Sequence, residues 1–265
     1  MSSPFLLVQL SDPHIGAAWN GVDPLARLEA AVEKVRSLDT SPDAVLVSGD
    51  LAEHAADEEY EQVRELVARI GAPFYVLAGN HDGRDALHRH FGVPGAGGAP
   101  VQYAAELGPL RLVVADSTVP GADEGELDAE RIAWLDATLA AEPATPTVVA
   151  MHHPPISHGI PAWDAIGLPG DDRRALAEVV AAHAQVLRIV AGHVHRAISG
   201  WLGGRSVLTV PSTYMQGLLS FDAAELRLSD DPPGFAVHAF VDGELVSHIQ
   251  PVVPDGQSIS FRSIA

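Results

Sequence analysis

The stretch VLRIVAGHVH, residues 186–195, decides how this chain is read. Its apolar run ends at Gly192, and two histidines follow, His193 and His195, one residue apart. On a strand, residues two apart share a face. By itself the stretch admits three readings: two ligands of one metal, one ligand for each of two metals, or polar residues closing a loop.

Four other stretches have the same form. They are FLLVQLSDPH (5–14), DAVLVSGD (43–50), PFYVLAGNHD (73–82) and PTVVAMHHPP (146–155). Apolar runs of this length read as strands buried on both faces. Amphipathic stretches lie between them. DPLARLEAAVEKVRSL (23–38) opens with Asp23 as N-cap and Pro24 at the first helical position. DEEYEQVRELVARIG (57–71) closes on Gly71 as the residue after the cap. Residues 128–142 and 171–184 also read as helices, so strands and helices alternate as in an α/β fold. Two antiparallel pairs are added, one turning at Gly108–Pro109 within 101–117 and one at Asp242–Gly243 within 235–252. No linker interrupts the pattern, so residues 1–265 read as one domain, closed by a hairpin region over about 207–252.

Composition narrows the function. The chain has 16 Lys+Arg against 35 Asp+Glu, a formal charge of -19, which argues against a nucleic-acid polymer as partner. With no cysteine, any metal must be held by His, Asp, Glu or Asn. No stretch approaches the roughly 20 apolar residues of a membrane span. The N-terminal MSSPFLLVQLSD lacks a basic region and a long apolar segment, so a cytoplasmic location is expected.

Each of the five apolar runs ends in Asp, Asn or His: Asp12 and His14, then Asp50, then Asn80, His81 and Asp82, then His152 and His153, then His193 and His195. In open α/β sheets, ligands gather at the carboxyl ends of strands. Taken singly, each block reads as an ordinary turn or cap. Together they offer an N/O donor set for a hard or borderline metal.

The order D-x-H, G-D, G-N-H-D, H-H-P-P, G-H-x-H, spread over residues 12–195, resembles the calcineurin-like metallophosphoesterase superfamily. Within it the chain is most similar to bacterial class III cyclic-nucleotide phosphodiesterases and their glycerophosphodiesterase relatives. SDPHIG, AGNHD, AGHVHR with the following VLTVPSTYMQ (207–216), and the closing PPGFAVHAFVDGELVSH (232–248) carry that likeness. The resemblance implies a four-layer α/β/β/α sandwich of two mixed sheets flanked by helices. It implies two metal ions, of Fe, Mn, Zn or Co. Asp12, His14 and His195 would hold the first, Asn80, His152 and His193 the second, and Asp50 would bridge them. His81 would contact the substrate and protonate its leaving oxygen, with Asn80 and Asp50 completing the catalytic set. Two such cations hold a shared water, lower its pKa and clamp the phosphoryl oxygens. A cationic site also lets an acidic protein take an anionic substrate.

The expected activity is therefore metal-dependent hydrolysis of small phosphodiesters, cyclic nucleotides among them. A phosphomonoesterase or nucleotide pyrophosphohydrolase on the same centre is the alternative, and a non-enzymatic scaffold would be expected to have lost ligands. The resemblance also implies homodimers in some relatives. Asp82 reads either as the carboxylate that orients His81 or as a turn residue. His153 and His158 read as flanking or loop residues, and Trp163 as packing. Tyr214, Met215 and Gln216 are expected to border the cleft. His54, His88, His90 and His183 are expected at the surface of helical or near-helical stretches.

Overall fold

The computed structural model describes residues 3–222 and 225–254. In chain order the first half holds β1 (Phe5–Leu10), α1 (Pro24–Arg36), β2 (Ala44–Ser48), α2 (Asp57–Ala68), β3 (Phe74–Leu77) and α3 (Arg84–Phe91). Next come β4 (Tyr103–Glu106), β5 (Arg111–Val114), α4 (Ala129–Ala141), β6 (Thr147–Ala150), α5 (Pro161–Asp164), α6 (Gly170–Ala182) and β7 (Val186–Ala191). Six further strands follow: β8 (Ile198–Leu202), β9 (Arg205–Thr209), β10 (Gln216–Gly217), β11 (Leu228–Ser229), β12 (Gly234–Val241) and β13 (Glu244–Pro251). All five apolar runs are strands. Asp23 caps α1 by accepting from the Leu25 N–H, and Pro24 takes the first helical position. The α2 cap falls at Arg69, so Gly71 lies one residue beyond the expected place and carries the left-handed turn there, at φ 83°.

The strands form two mixed sheets. One runs β13-β12-β1-β2-β3, the other β4-β5-β6-β7-β9-β8, with a small β10-β11 ladder beside them. In the first, β1 pairs parallel with β2 and antiparallel with β12, so a C-terminal strand completes the sheet that starts the chain. Strand alternation in the second sheet builds the layers. Leu112, Val114, Val148, Ala150 and Val190 join the core made by β1, β2 and the α1 and α2 residues Leu28, Val32, Tyr60 and Val63. Their neighbours Val113, Val149, Met151, Ile189 and Ala191 face the other way and pack with Leu135 and Leu139 of α4 and Leu176 and Val180 of α6. The result is helices, sheet, sheet, helices.

A buried polar chain runs across the strands of the first sheet, on β13, β12, β1 and β2. The His238 ring meets Ser247 Oγ at 2.6 Å and Gln9 Oε1 at 3.0 Å. Gln9 Nε2 donates to Ser48 Oγ at 2.8 Å, and Ser48 Oγ donates to Ser11 Oγ at 2.7 Å. The chain thus ends directly under the strand ends of β1 and β2.

One surface expectation fails and one holds. His54 is exposed, in the loop just before α2, and pairs with Glu59 at 2.8 Å. His183 is 8% exposed, because its ring packs back on α4 and bonds Asp136 at 2.7 Å. No helix among the described residues is long and apolar enough to cross a membrane.

Phe235 of β12 is fully buried in the core that β12 shares with β1. Phe235→Ala is expected to cost about 3–5 kcal/mol, read as a lowered midpoint in denaturant unfolding with unchanged slope.

Candidate metal centre

The five polar strand ends converge at one edge of the two sheets. Asp12, His14, Asp50 and His195 are all buried and bring their donor atoms within 4.8 Å of one another. His14 Nε2 lies 3.1 Å from His195 Nε2 and 3.4 Å from Asp50 Oδ2, and His195 Nε2 lies 3.6 Å from Asp12 Oδ1. A second group forms around Asn80 Oδ1, which lies 3.1 Å from both His152 Nε2 and His193 Nδ1. The two groups meet at Asp50: the oxygen near His14 is also 3.3 Å from His152 Nε2. His193 and His195 thus stand in different groups, although they are two residues apart.

They separate because the backbone is not extended there. Asp12, His14, Asp50, His193 and His195 all have left-handed φ, between 45° and 68°. Each such residue costs about 1–3 kcal/mol and persists only where surrounding packing imposes it. Two glycines allow the strand ends to close up. A Cβ on Gly79 would lie 2.1 Å from Asp50 Oδ1, and one on Gly192 would lie 2.2 Å from Ser11 Oγ and 2.8 Å from the Ser48 carbonyl.

The outward ring nitrogens fix the tautomers. His14 Nδ1 faces Glu53 Oε2 at 2.8 Å, His195 Nδ1 faces the Met215 carbonyl at 2.8 Å, and His152 Nδ1 faces the Ser48 carbonyl at 3.0 Å. All three partners only accept, so each Nδ1 carries the hydrogen and each Nε2 turns a lone pair inward. The interior of the cluster is then nitrogen and oxygen acceptors facing one another, and Asp12 Oδ2 is buried with no partner. Such a cavity asks for positive charge. Protons meet part of the need: burial pulls His152 down, but Asp50 outweighs it and raises His152 to about 9. They do not meet the rest, since burial holds His195 near 4 and His193 well below the ordinary histidine value. Divalent cations fit this donor set.

His81 stands at the rim with 29% of its side chain exposed. Its backbone N–H donates to Asp50 Oδ1 at 3.0 Å, and its ring Nδ1 lies 3.3 Å from the Glu53 carbonyl and 3.4 Å from Glu53 Oε2. Burial lowers its pKa, but Asp50 and Glu53 more than reverse this and raise it. The residue that faces this ring nitrogen is therefore Glu53, bonding through its carbonyl with its carboxylate close by, and not Asp82. Asp82 instead accepts from Gly79 N at 2.9 Å, Leu51 N at 3.1 Å and Ala52 N at 3.2 Å, tying the Asp50 turn to the Asn80 turn. Burial, with Asp50 close by, raises Asp82 to about 7.

His153 is buried beside the cluster, its ring centroid 4.4 Å from that of His193, but both its nitrogens are engaged, by Ser117 Oγ at 2.9 Å and the Asp123 carbonyl at 3.0 Å. Trp163 packs against both His193 and His195 at 5.7 Å. Of the segment expected to border the cleft, Met215 reaches it through its carbonyl. The Tyr214 hydroxyl accepts from the Trp19 N–H at 2.9 Å, and Gln216 bonds the Ser212 carbonyl at 2.8 Å. His158 lies outside the cluster. Two residues were not foreseen: Glu53, and Trp19, whose half-buried ring lies 4.6 Å from that of His14.

Comparison with known proteins places this arrangement. The model of a family described as calcineurin-like phosphoesterase matches residues 5–197. A probable cyclic nucleotide phosphodiesterase of Synechococcus is 35% identical, over 96% of this chain and 94% of its own. A probable glycerophosphodiester phosphodiesterase of Arcobacter nitrofigilis is 31% identical, over 92% of each. Among solved structures, a dimetal phosphatase from Danio rerio superposes with a TM-score of 0.71 over 95% of this chain and 98% of its own, at 16% identity, and so shares the fold.

Two outcomes are expected. Metal uptake at pH 7 releases protons and weakens as pH falls, because His152, raised to about 9, must surrender its proton; calorimetry in buffers of different ionisation enthalpy measures the release. Glu53→Gln lowers metal affinity by about 10–100-fold, since it alters what holds His14, and a competitive chelator titration reads this directly.

Proposed function

We propose a reaction for this chain from the premise that it belongs to the calcineurin-like phosphoesterase family. It is a metal-dependent phosphodiesterase of small diesters, including cyclic nucleotides. The observation that carries the reading is Asp50, one of whose oxygens lies between two acceptor-only groups, 3.4 Å from His14 and 3.3 Å from His152. A carboxylate so placed would serve two ions. Asp12, His14 and His195 would hold one and Asn80, His152 and His193 the other, with Asp50 common to both.

Bound there, two divalent ions would supply positive charge to the phosphoryl oxygens and lower the pKa of the attacking water. Only Asp12 and Asp50 bring negative charge into the donor set, so the loaded site stays positive within a protein of charge -19. That is what draws in a phosphate. Glu53 holds the hydrogen on His81 Nδ1, so Nε2 is the atom that delivers a proton to the leaving oxygen. The raised pKa of His81 keeps this proton available near neutral pH. Trp19 walls one side of the entrance. The 35% identity to a probable cyclic nucleotide phosphodiesterase supports a diester substrate.

The test is hydrolysis of bis(p-nitrophenyl) phosphate with Mn²⁺ restored after chelation, followed by cyclic AMP, a glycerophosphodiester and a phosphomonoester under the same conditions. Metal-dependent cleavage of diesters is expected, and cleavage of the monoester alone would overturn the reading. His81→Asn is expected to lower kcat by about 10²–10⁴ with metal content unchanged, whereas Asn80→Ala lowers both; elemental analysis beside the kinetics separates the two.

A further inference from the structure

A groove of about 670 Å³ lies away from the imidazole cluster, between the loop after β6, the first turn of α6 and strand β8. Ser157, His158, Gly170, Arg173, Arg174 and Trp201 line it. Three features converge on it.

The first is positive. Helix α6 runs 13 residues from Gly170, and its N-cap, Pro169, makes no side-chain cap. Its leading N–H groups are therefore left without a side-chain cap where Gly170 lines the groove, and of the two acids in this turn Asp172 is held away by the Leu127 N–H. Arg173 Nη2 and Arg174 Nη1 both come to 3.7 Å from where a Cβ on Gly170 would stand, so both guanidiniums curl over the helix start. Arg173 is steadied by Ser157 Oγ at 2.9 Å. Arg174 pairs with Asp171, but both side chains are largely exposed, and such a pair yields readily to a ligand.

The second is a buried polar atom without a partner. The His158 side chain is 1% exposed, and Nδ1 lies 3.1 Å from Asp164 Oδ1, outside hydrogen-bond alignment. The carboxylate draws the ring hydrogen to Nδ1. His158 Nε2 is then a lone-pair acceptor, buried and unmatched, and a group in that state is costly until a donor arrives.

The third is apolar. Trp201 of β8 is 74% exposed on the groove wall. An indole face in water beside a pair of arginines is suited to stacking a planar ring.

We propose that this groove is a second ligand site, separate from the metal centre, and that it takes a nucleoside monophosphate. The phosphate sits on Arg173, Arg174 and the α6 N-terminus, the base stacks on Trp201, and the His158 ring turns toward the groove to accept at Nε2 from a ribose hydroxyl. Two arginines suit one phosphate, and the acidic remainder of the protein turns away a polymer.

Equilibrium dialysis of adenosine 5′-monophosphate against the metal-loaded protein tests this without reference to turnover. The wild type is expected to bind one equivalent more than Arg173→Gln/Arg174→Gln. Trp201→Ala is expected to weaken that equivalent about fivefold or more for the nucleotide while leaving inorganic phosphate unaffected. Melting temperatures equal to wild type show that the exposed substitutions leave the fold intact. Identical stoichiometry in the wild type and the double variant overturns the site, and equal nucleotide binding with and without Trp201 overturns its assignment to a nucleotide.

Discussion

Acceptors that face acceptors are the constraint on which this molecule is built. Four imidazoles, two carboxylates and one amide oxygen turn lone pairs into one buried volume. Left alone, such an array would fly apart or fill with protons. It stays in place because several of its members are gripped from behind. Glu53, the Ser48 carbonyl and the Met215 carbonyl take the outward ring hydrogens, and the His193 N–H fixes Asp12 Oδ1 at 3.0 Å. The five left-handed residues belong to the same arrangement. At about 1–3 kcal/mol each, they represent a sizeable part of an ordinary domain's net stability, offset by the sandwich around them.

That offset comes from layering. The inward residues of the second sheet share one core with the first sheet and its helices, while the alternate residues are clamped by α4 and α6. Strand ends held from both faces cannot relax their turns. Asp82 adds a local tie, since its three backbone bonds join the turns that carry Asp50 and Asn80.

Much of this was legible in the sequence, for a physical reason. A doubly buried strand shows as an unbroken apolar run, and polar residues that must sit at its end follow immediately. Hence β1, β2, β3, β6 and β7 and the seven donors could be read together. Helix α1 announced itself through Asp23 and Pro24, and the closing hairpin through Asp242–Gly243. The β8–β9 pair was not foreseen, because Gly200 and the exposed Trp201 break the expected alternation despite the Gly203–Gly204 turn. Glu53 was missed because its task depends on two rings, one of them 39 residues away. Met215 acts through a carbonyl, which no side-chain pattern reveals. His183 misled because helical periodicity does not say that its ring folds back on a neighbouring helix.

The pairing of β1 with β12 also has a consequence in time. The strand that leads into Asp12 and His14 is made long before its partner, Gly234–Val241, and the carbonyl that orients His195 belongs to Met215. A chain emerging from the ribosome therefore exposes its earliest donors long before they can be arranged. The pocket can close only after the chain has been made through β12, so any metal it takes must enter after that strand is in place.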